Sequence, residues 1–139
     1  MLEEHDGESG VAMINVVEST SQNQIIVISG ANKHTQATQV SDSALSDIEI
    51  LVSQMEIPSQ EIEKLFIRAS EKNCYRILNV APAIELSANL FSQTDLFVVN
   101  EIELEFLAKK QIRSADLDSI KDCIGRAFIR CAWPGIKWN

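Results

Sequence analysis

The sequence predicts an α/β fold in which a β-hairpin precedes a parallel sheet with crossover helices. From Ile48 onward, short apolar runs alternate with helical segments, a pattern typical of parallel strands joined by right-handed crossovers. A polar residue also follows each of three apolar runs, namely Glu56, Asn79 and Asn100. Ligands bind beyond the carboxyl ends of the strands in an open parallel sheet, so we expect these residues along one cleft.

The composition is that of one globular domain. The chain has 139 residues, of which 45% are hydrophobic, enough for a real core. Its formal net charge of −8 argues against a nucleic-acid backbone as the main partner. We expect no membrane span and no signal peptide, because long apolar runs and a basic start are both missing. An odd number of cysteines favours a reducing, cytoplasmic setting.

The hairpin is predicted from two β-rich segments at the front of the chain. Val11–Val17 and residues 24–29 are rich in β-branched side chains, and a polar turn joins them. Ala12 and Ile14 lie two residues apart and therefore share one face of the first strand. The polar stretch at residues 35–47 predicts a short helix with loops.

The parallel sheet is predicted from three further strands, at residues 48–55, 75–80 and 95–99. Because the runs from Ile48 and Leu96 are almost continuously apolar, we expect both faces of the sheet to be covered. Proline disfavours helical geometry in the residue before it, so Pro58 predicts a chain that stays extended past Glu56.

Helices are predicted to connect these strands. The helix that begins at Pro58 and Ser59 has four apolar residues on one face, namely Ile62, Leu65, Phe66 and Ala69. Further helices are expected at residues 85–93 and 101–110. Ser114 is a suitable N-cap for a last helix from residue 115 to about residue 130.

The polar residues at the strand ends have both structural and functional interpretations. Glu56 can accept hydrogen bonds from a polyol ligand, or it can cap a helix or face water. Asn79 is expected to hold the following loop by bonding its own backbone. Asn100 is a strong N-cap, and Glu101 suits the helix dipole. Glu103 is a further acidic residue, beyond those that one helix end needs. Its carboxylate can order water around a hard divalent cation.

Together these segments resemble the ribokinase-like sugar kinases, also called the PfkB family, and most closely its ribokinase branch. The resemblance covers residues 7–120, with matching order and spacing. It is carried by residues 9–14, 23–32, 54–58, 79–83 and 99–103.

The resemblance implies a partial Rossmann-like sheet and a reaction that moves the γ-phosphoryl group of ATP to a sugar hydroxyl, with Mg²⁺. By position, Glu56 resembles the acid that binds the sugar. Ala12, Ile14 and Val27 resemble the apolar lid residues that close over it. Asn100 and Glu103 resemble the Asn-x-x-Glu motif near the nucleotide phosphates, and Glu103 is the residue implied for the metal.

The departures from the family pattern imply an incomplete site. The five glycines of the chain form no Gly-x-Gly-Asp motif, so the family's catalytic Asp and anion hole have no counterpart. The first sheet segment and its sugar-binding motif are also missing. We therefore expect a lid hairpin segment at residues 1–32, a partial core at 33–130 and a tail at 131–139 that leaves the family pattern.

These features predict a truncated sugar kinase, with D-ribose as the acceptor, that is inactive on its own. One alternative is a non-catalytic sugar-binding or regulatory module, and another is a fragment of a fructokinase or nucleoside kinase. The expected partners are a small sugar and ATP, with neither nucleic acid nor membrane. An incomplete sheet leaves an unpaired strand edge that invites association, and a homodimer through the lid hairpin is a further expectation.

Overall fold

A computed structural model describes residues 6–17, 22–112 and 127–129. The strands are β1 (Val11–Val17), β2 (Gln22–Ile28), β3 (Ile50–Gln54), β4 (Tyr75–Asn79), β5 (Leu96–Val99) and β6 (Ala127–Ile129). The α-helices are α1 (Asp42–Ser46), α2 (Ser59–Glu71), α3 (Ala88–Gln93) and α4 (Glu101–Ile112). Short 3-10 turns at Gly30–His34 and Ala37–Gln39 precede α1.

The sheet topology confirms the predicted α/β fold. β3, β4, β5 and β6 pair in that order, all in parallel. β1 and β2 form a separate antiparallel hairpin in which Val11 lies opposite Ile28. In the described residues, no helix is both long and apolar enough to cross a membrane.

The amphipathic helix α2 confirms the predicted apolar face. Its buried residues are Ile62, Leu65, Phe66 and Ala69. Ile62 and Phe66 belong to a core cluster that also contains strand, α3 and α4 residues, among them Leu78, Leu90, Phe97, Val99 and Leu107. A second cluster, around Leu45 and Cys74, lies where α1 meets the other end of α2.

One face of the parallel sheet carries the helices and the opposite face is open in the part of the chain that the structure describes. Leu51, Leu78 and Phe97 pack into the helical cluster. The alternating positions point away from it, and Ile50 and Val52 remain 55% and 64% exposed. The prediction that both faces of β3 are covered is therefore wrong for this part of the chain. An apolar run predicts that a strand is buried, but it does not show whether one face of the strand or both faces are covered.

The predicted last helix is wrong at its carboxyl end. Residues 127–129 form β6, in which Phe128 pairs with Val98 of β5. Pairing with a strand some thirty residues away along the chain overrides the local helical pattern there. Residues 113–126, including the predicted cap Ser114, lie outside the described residues, as does the tail at 131–139.

Candidate functional site

The carboxyl ends of β3, β4 and β5 lie side by side. Gln54 pairs with Asn79, and Asn79 pairs with Val98. Since neighbouring strands are about 4.8 Å apart, this row spans roughly 10 Å. Glu56 and Asn100 each follow the row by two residues, so all three predicted polar positions lie at the same edge of the sheet, as the sequence pattern predicts.

Glu56 lies on a tight turn directly beyond β3, with its side chain exposed. The expected extended course past Glu56 is wrong, because β3 ends at Gln54 and the chain turns at Met55 and Glu56. Pro58 restricts only its immediate neighbour Ile57. The turn is anchored by the buried Met55 side chain and by its backbone N–H, which donates to the Ala81 carbonyl oxygen at 3.2 Å.

Asn79 ends β4 with a buried amide oxygen. Its Oδ1 atom has no hydrogen-bond partner among the described residues, so this oxygen does not make the backbone bond that we expected of Asn79. Backbone bonds hold the loop instead: the Val80 N–H donates to the Val98 carbonyl oxygen at 3.0 Å, and Ala81 accepts from Met55. A buried unpaired acceptor costs stability, which makes Asn79 an unusual feature of this edge.

Asn100 and Glu103 form a reciprocal capping box at the start of α4. The Glu103 N–H donates to Asn100 Oδ1 at 2.8 Å, and Glu103 Oε2 accepts from the Asn100 backbone N–H at 2.8 Å. Asn100 Nδ2 also donates to Glu103 Oε1 at 3.0 Å. Capping therefore accounts for Glu103 as well as for Asn100, although only Asn100 was assigned that role from the sequence. The Glu103 side chain is held at the strand edge and is 7% exposed.

The donor set at this edge suits an ion that keeps most of its water. No group of three or more acidic, histidine or cysteine side chains that could hold a metal occurs in the described residues. Each oxygen of Glu103 accepts one bond from Asn100. Mg²⁺ typically retains several waters and uses one or two carboxylates plus substrate phosphates, so Glu103 fits such an ion through water.

The hairpin brings the predicted lid residues onto one face. Ala12 lies opposite Val27, and Ile14 lies opposite Ile25. Directly opposed residues of antiparallel strands share a face, so Ile25 belongs to this set although sequence reasoning missed it. The register between the two strands identifies Ile25, and this register becomes known only when the two strands are paired. These side chains form what we call the lid face, and Ile14 is 58% exposed.

The other side of the hairpin is equally apolar. Exposed side chains there are Val11, Met13, Ile26 and Ile28. A hairpin that needs only one covered face usually alternates apolar and polar residues. Both faces of this hairpin are therefore suited to pack against groups that lie outside the hairpin.

A close backbone crossing fixes the base of the hairpin. Gly30 has a φ of +51°, and a Cβ atom there would lie 2.6 Å from the Gly10 nitrogen. The Ala31 N–H donates to the Glu8 carbonyl oxygen at 3.0 Å across the same crossing. Only glycine fits this position, which accounts for a residue that the sequence pattern marked simply as the end of the hairpin.

A surface groove of about 630 Å³ lies away from the strand ends, between α1, α2 and the turn before α1. Arg68 borders it and donates to the Ala37 and Val40 carbonyl oxygens, both at 2.7 Å. Arg68 also pairs with Asp42 and lowers the pKa of that carboxyl, mainly through the hydrogen bond. None of the predicted site residues is among those that line the groove.

Comparison with known proteins connects these features to one family. Residues 1–130 match the family described as pfkB family carbohydrate kinase. The chain is 32% identical over 114 residues to a ribokinase of Schizosaccharomyces pombe, covering 81% of this chain and 36% of that protein. It is 36% identical over 107 residues to a ribokinase of Haemophilus influenzae, covering 75% and 34%. The chain thus spans little more than a third of the length of these relatives.

Solved structures show the same fold. Ribokinase from Thermotoga maritima superimposes with a TM-score of 0.69 at 25% identity, over 86% of this chain and 41% of that one. Arabidopsis thaliana ribokinase, in complex with ribose and ATP, superimposes with a TM-score of 0.66 at 20% identity, over 89% and 43%.

Proposed function

Since this chain belongs to the pfkB family of carbohydrate kinases, we propose that it forms one wall of a ribokinase-type active site. In the reaction, a hydroxyl oxygen of D-ribose attacks the γ-phosphorus of ATP, ADP leaves and the hydroxyl proton is released, giving ribose 5-phosphate. The observation that carries this proposal is the placement of Glu56 and the Asn100–Glu103 pair at one sheet edge. A spacing of roughly 10 Å leaves room for a sugar beside a phosphate chain.

We assign Glu56 and the lid face to the sugar. The exposed Glu56 carboxylate accepts hydrogen bonds from ribose hydroxyls, and such charge-assisted bonds are stronger than neutral ones. Ala12, Ile14 and Val27 cover the apolar faces of the sugar when the hairpin closes. Closure excludes water and orients the acceptor hydroxyl, which phosphoryl transfer requires.

We assign Asn100 and Glu103 to the nucleotide side, with Glu103 holding Mg²⁺ through water. The ion supplies positive charge against the phosphates when it is bound. The contribution of the chain is positional, because Asn100 holds the carboxylate through two bonds, from its backbone N–H and from Nδ2, before any ligand arrives. Preorganised groups of this kind need no rearrangement during the reaction.

We propose that these 139 residues alone do not turn over. The sequence contains no Gly-x-Gly-Asp motif, so neither a general base for the hydroxyl proton nor an anion hole is supplied within it. Preorganised anion donors are usually the largest single contribution to catalysis. A non-catalytic sugar-binding module also has no turnover. Restoration of activity by the rest of a kinase distinguishes a kinase fragment from such a module.

The assignment of Glu56 is testable in a chimera. The matched segment of the Schizosaccharomyces pombe ribokinase is replaced by the corresponding part of this chain, and phosphorylation of D-ribose by ATP is measured. Loss of a hydrogen bond to a charged group costs about 1.5–3 kcal/mol, so Glu56→Gln should reduce kcat/KM for ribose roughly 10- to 100-fold. The effect should fall mainly on KM, because Glu56 binds the sugar rather than the phosphates.

Glu49→Gln is the matched control, since Glu49 is also exposed but lies at the amino end of β3. An unchanged kcat/KM in the Glu56→Gln chimera would contradict the assignment of Glu56. A deoxyribokinase of Salmonella typhi is also 32% identical to this chain, over 111 residues. If the chimera clearly preferred 2-deoxyribose to ribose, 2-deoxyribose would become the proposed acceptor in place of ribose.

We further propose that the apolar face of the hairpin opposite the lid face pairs two copies of the chain. Val11, Met13 and Ile28 there are all more than half exposed, and pairing buries them while leaving the lid face for the sugar. We also place the protein in the cytoplasm, because ATP is available there and the buried Cys74 is a free thiol.

A further inference from the structure

The chain passes from the hairpin towards the parallel sheet through residues 30–42, which we call the connecting segment. Among the described residues, β1 and β2 pair only with each other, so no strand pairing joins them to the sheet. Ala37 is the only buried residue of the connecting segment. The position of the lid face relative to the sheet therefore depends on what holds this segment in place.

Two charged side chains of α2, which we call the clasp, bind the backbone of the connecting segment. Glu61 Oε2 accepts the Ala37 N–H at 2.9 Å. Arg68 donates to the carbonyl oxygens of Ala37 and Val40, both at 2.7 Å. Arg68 also pairs with Asp42, the first residue of α1. Both polar groups of the buried Ala37 backbone are therefore bound by side chains of α2.

The clasp holds the connecting segment at two points on one face of the helix. Glu61 and Arg68 are seven residues apart, which is about two helical turns or roughly 10 Å along the helix axis. Their side chains are only 19% and 27% exposed, and hydrogen bonds to charged groups are stronger than neutral ones. Two separate attachments fix the direction of the segment on the helix as well as its position.

The helix that carries the clasp also begins directly after Glu56. In the first turn of α2, the Glu61 N–H donates to the Pro58 carbonyl oxygen at 2.9 Å, and Pro58 follows Glu56 by two residues. At the other end of the connecting segment, the bond from the Ala31 N–H to Glu8 joins it to the base of the hairpin. The lid face and the proposed sugar-binding acid are therefore both held in place by α2.

We propose that Glu61 and Arg68 are positioning residues that set where the lid face closes relative to Glu56. The inference rests on the proposed function, in which the lid face and Glu56 contact the same sugar. Without the clasp, the hairpin closes at a variable distance from Glu56, so ribose binds less tightly and its acceptor hydroxyl is less well oriented. A displacement of about 1 Å can cost about 100-fold in rate.

Kinetic measurements on the chimera test the positioning role. We expect Glu61→Ala and Arg68→Met each to raise the KM for ribose about 10-fold or more, while the KM for ATP is unchanged. A loss of folded protein lowers the apparent kcat without raising KM, so a merely structural effect has a different signature. Glu61→Gln keeps an oxygen that can accept the Ala37 N–H, and it should therefore retain a KM for ribose close to that of the parent.

Proteolysis of the 139-residue chain tests the clasp without sugar or nucleotide. Lys33 is exposed and lies between the base of the hairpin and Ala37. A lysine-specific protease cuts at Lys33 when the connecting segment opens locally. Loss of a bond to a charged group in Glu61→Ala or Arg68→Met should speed this cleavage roughly 10- to 100-fold, as measured by mass spectrometry. Glu61→Gln should again stay close to the parent.

Arg76→Gln is the matched control in both experiments. Arg76 also binds a carboxylate, that of Asp95 at 2.7 Å, and its side chain is 14% exposed. It lies near the start of β4, at the opposite end of the sheet from Glu56. This variant should lower the free energy of unfolding while leaving the KM for ribose and the cleavage at Lys33 at their parent values.

Two results would overturn the proposal. The first is a KM for ribose that stays at the parent value in Glu61→Ala and Arg68→Met, or that rises equally in Arg76→Gln. The second is cleavage at Lys33 at the same rate in the parent and in both clasp variants. If Arg68→Met does not fold, Glu61→Ala and Glu61→Gln carry both experiments. A chimera without turnover counts against the proposed function, and cleavage at Lys33 then decides the role of the clasp on its own.

Discussion

Glu103 connects the stability of a helix with the proposed nucleotide site. Its carboxylate accepts two bonds from Asn100 while the Asn100 side chain caps the helix. The N-cap role of Asn100 follows from residue type and position, because capping is local. The carboxylate contacts of Glu103 were not predicted, since they depend on how the strand delivers Asn100 to the helix.

Asn100→Ala should destabilise the protein by about 2–4 kcal/mol. The cap contributes about 1 kcal/mol, and loss of the Nδ2 donor to the buried Glu103 carboxylate, which keeps its backbone N–H bond, adds about 1–3 kcal/mol. Urea unfolding followed by circular dichroism measures the change. Glu103→Gln should cost less, because Gln also completes a capping box. A loss below about 0.5 kcal/mol for Asn100→Ala, the range of ordinary surface changes, would contradict the structural role of the pair.

The cost of Asn79 to the stability of the protein is visible only in the folded structure. Its buried Oδ1 atom has no hydrogen-bond partner in the described part of the chain. Asn79→Leu keeps the number and branching of the side-chain heavy atoms and removes the unpaired acceptor, so it should raise the free energy of unfolding by about 1 kcal/mol. Asn79→Asp should lower it, because the change adds charge at a buried position. A destabilising Asn79→Leu would show that the amide is satisfied in solution.

At the scale of elements, local periodicity predicted α2 and its buried face because those signals lie within a dozen residues. The partner of α2 was not predictable in the same way. Glu63 of α2 accepts hydrogen bonds from Ser87 and from Asn89 Nδ2, the latter at 2.8 Å, which joins α2 to the start of α3. These contacts lower the pKa of Glu63, the Ser87 bond most strongly.

This link between α2 and α3 should make stability depend on pH. The folded pKa of Glu63 lies below its ordinary value of 4.5, so the unfolded chain binds more protons in acid. The stabilisation is complete above pH 4.5 and is lost as the pH falls through the lowered folded value. The lowered pKa values of Glu61 and Asp42 act in the same direction.

Thermal unfolding of the parent and of Glu63→Gln, measured from neutral pH down to about pH 3, tests this link. The variant should lose part of the acid-dependent fall in melting temperature. Glu71→Gln, at the exposed end of the same helix, should keep the parent profile. Parallel profiles for parent and Glu63→Gln would show that the link carries no stability.

At the scale of the molecule, the sequence predicted parallel strands joined by helices and the edge that carries the polar residues. It did not predict the open face of β3 or the strand at residues 127–129. Both depend on contacts distant in the chain: Val52 lacks a covering layer among the described residues, and Phe128 gains a partner in Val98. The same apolar sequence is compatible with a strand that is covered on one face or on both faces. Only the folded sheet distinguishes these two cases.

We propose that the chain holds the ligand-facing wall of a sugar kinase without the wall that performs the chemistry. Ribose-dependent formation of ADP from ATP and Mg²⁺ tests this most directly, measured for the 139-residue chain alone and for its chimera with the Schizosaccharomyces pombe ribokinase. We predict no ribose-dependent ADP from the chain alone and clear turnover from the chimera. Ribose-dependent turnover by the chain alone, or a folded chimera without turnover, would contradict the proposal.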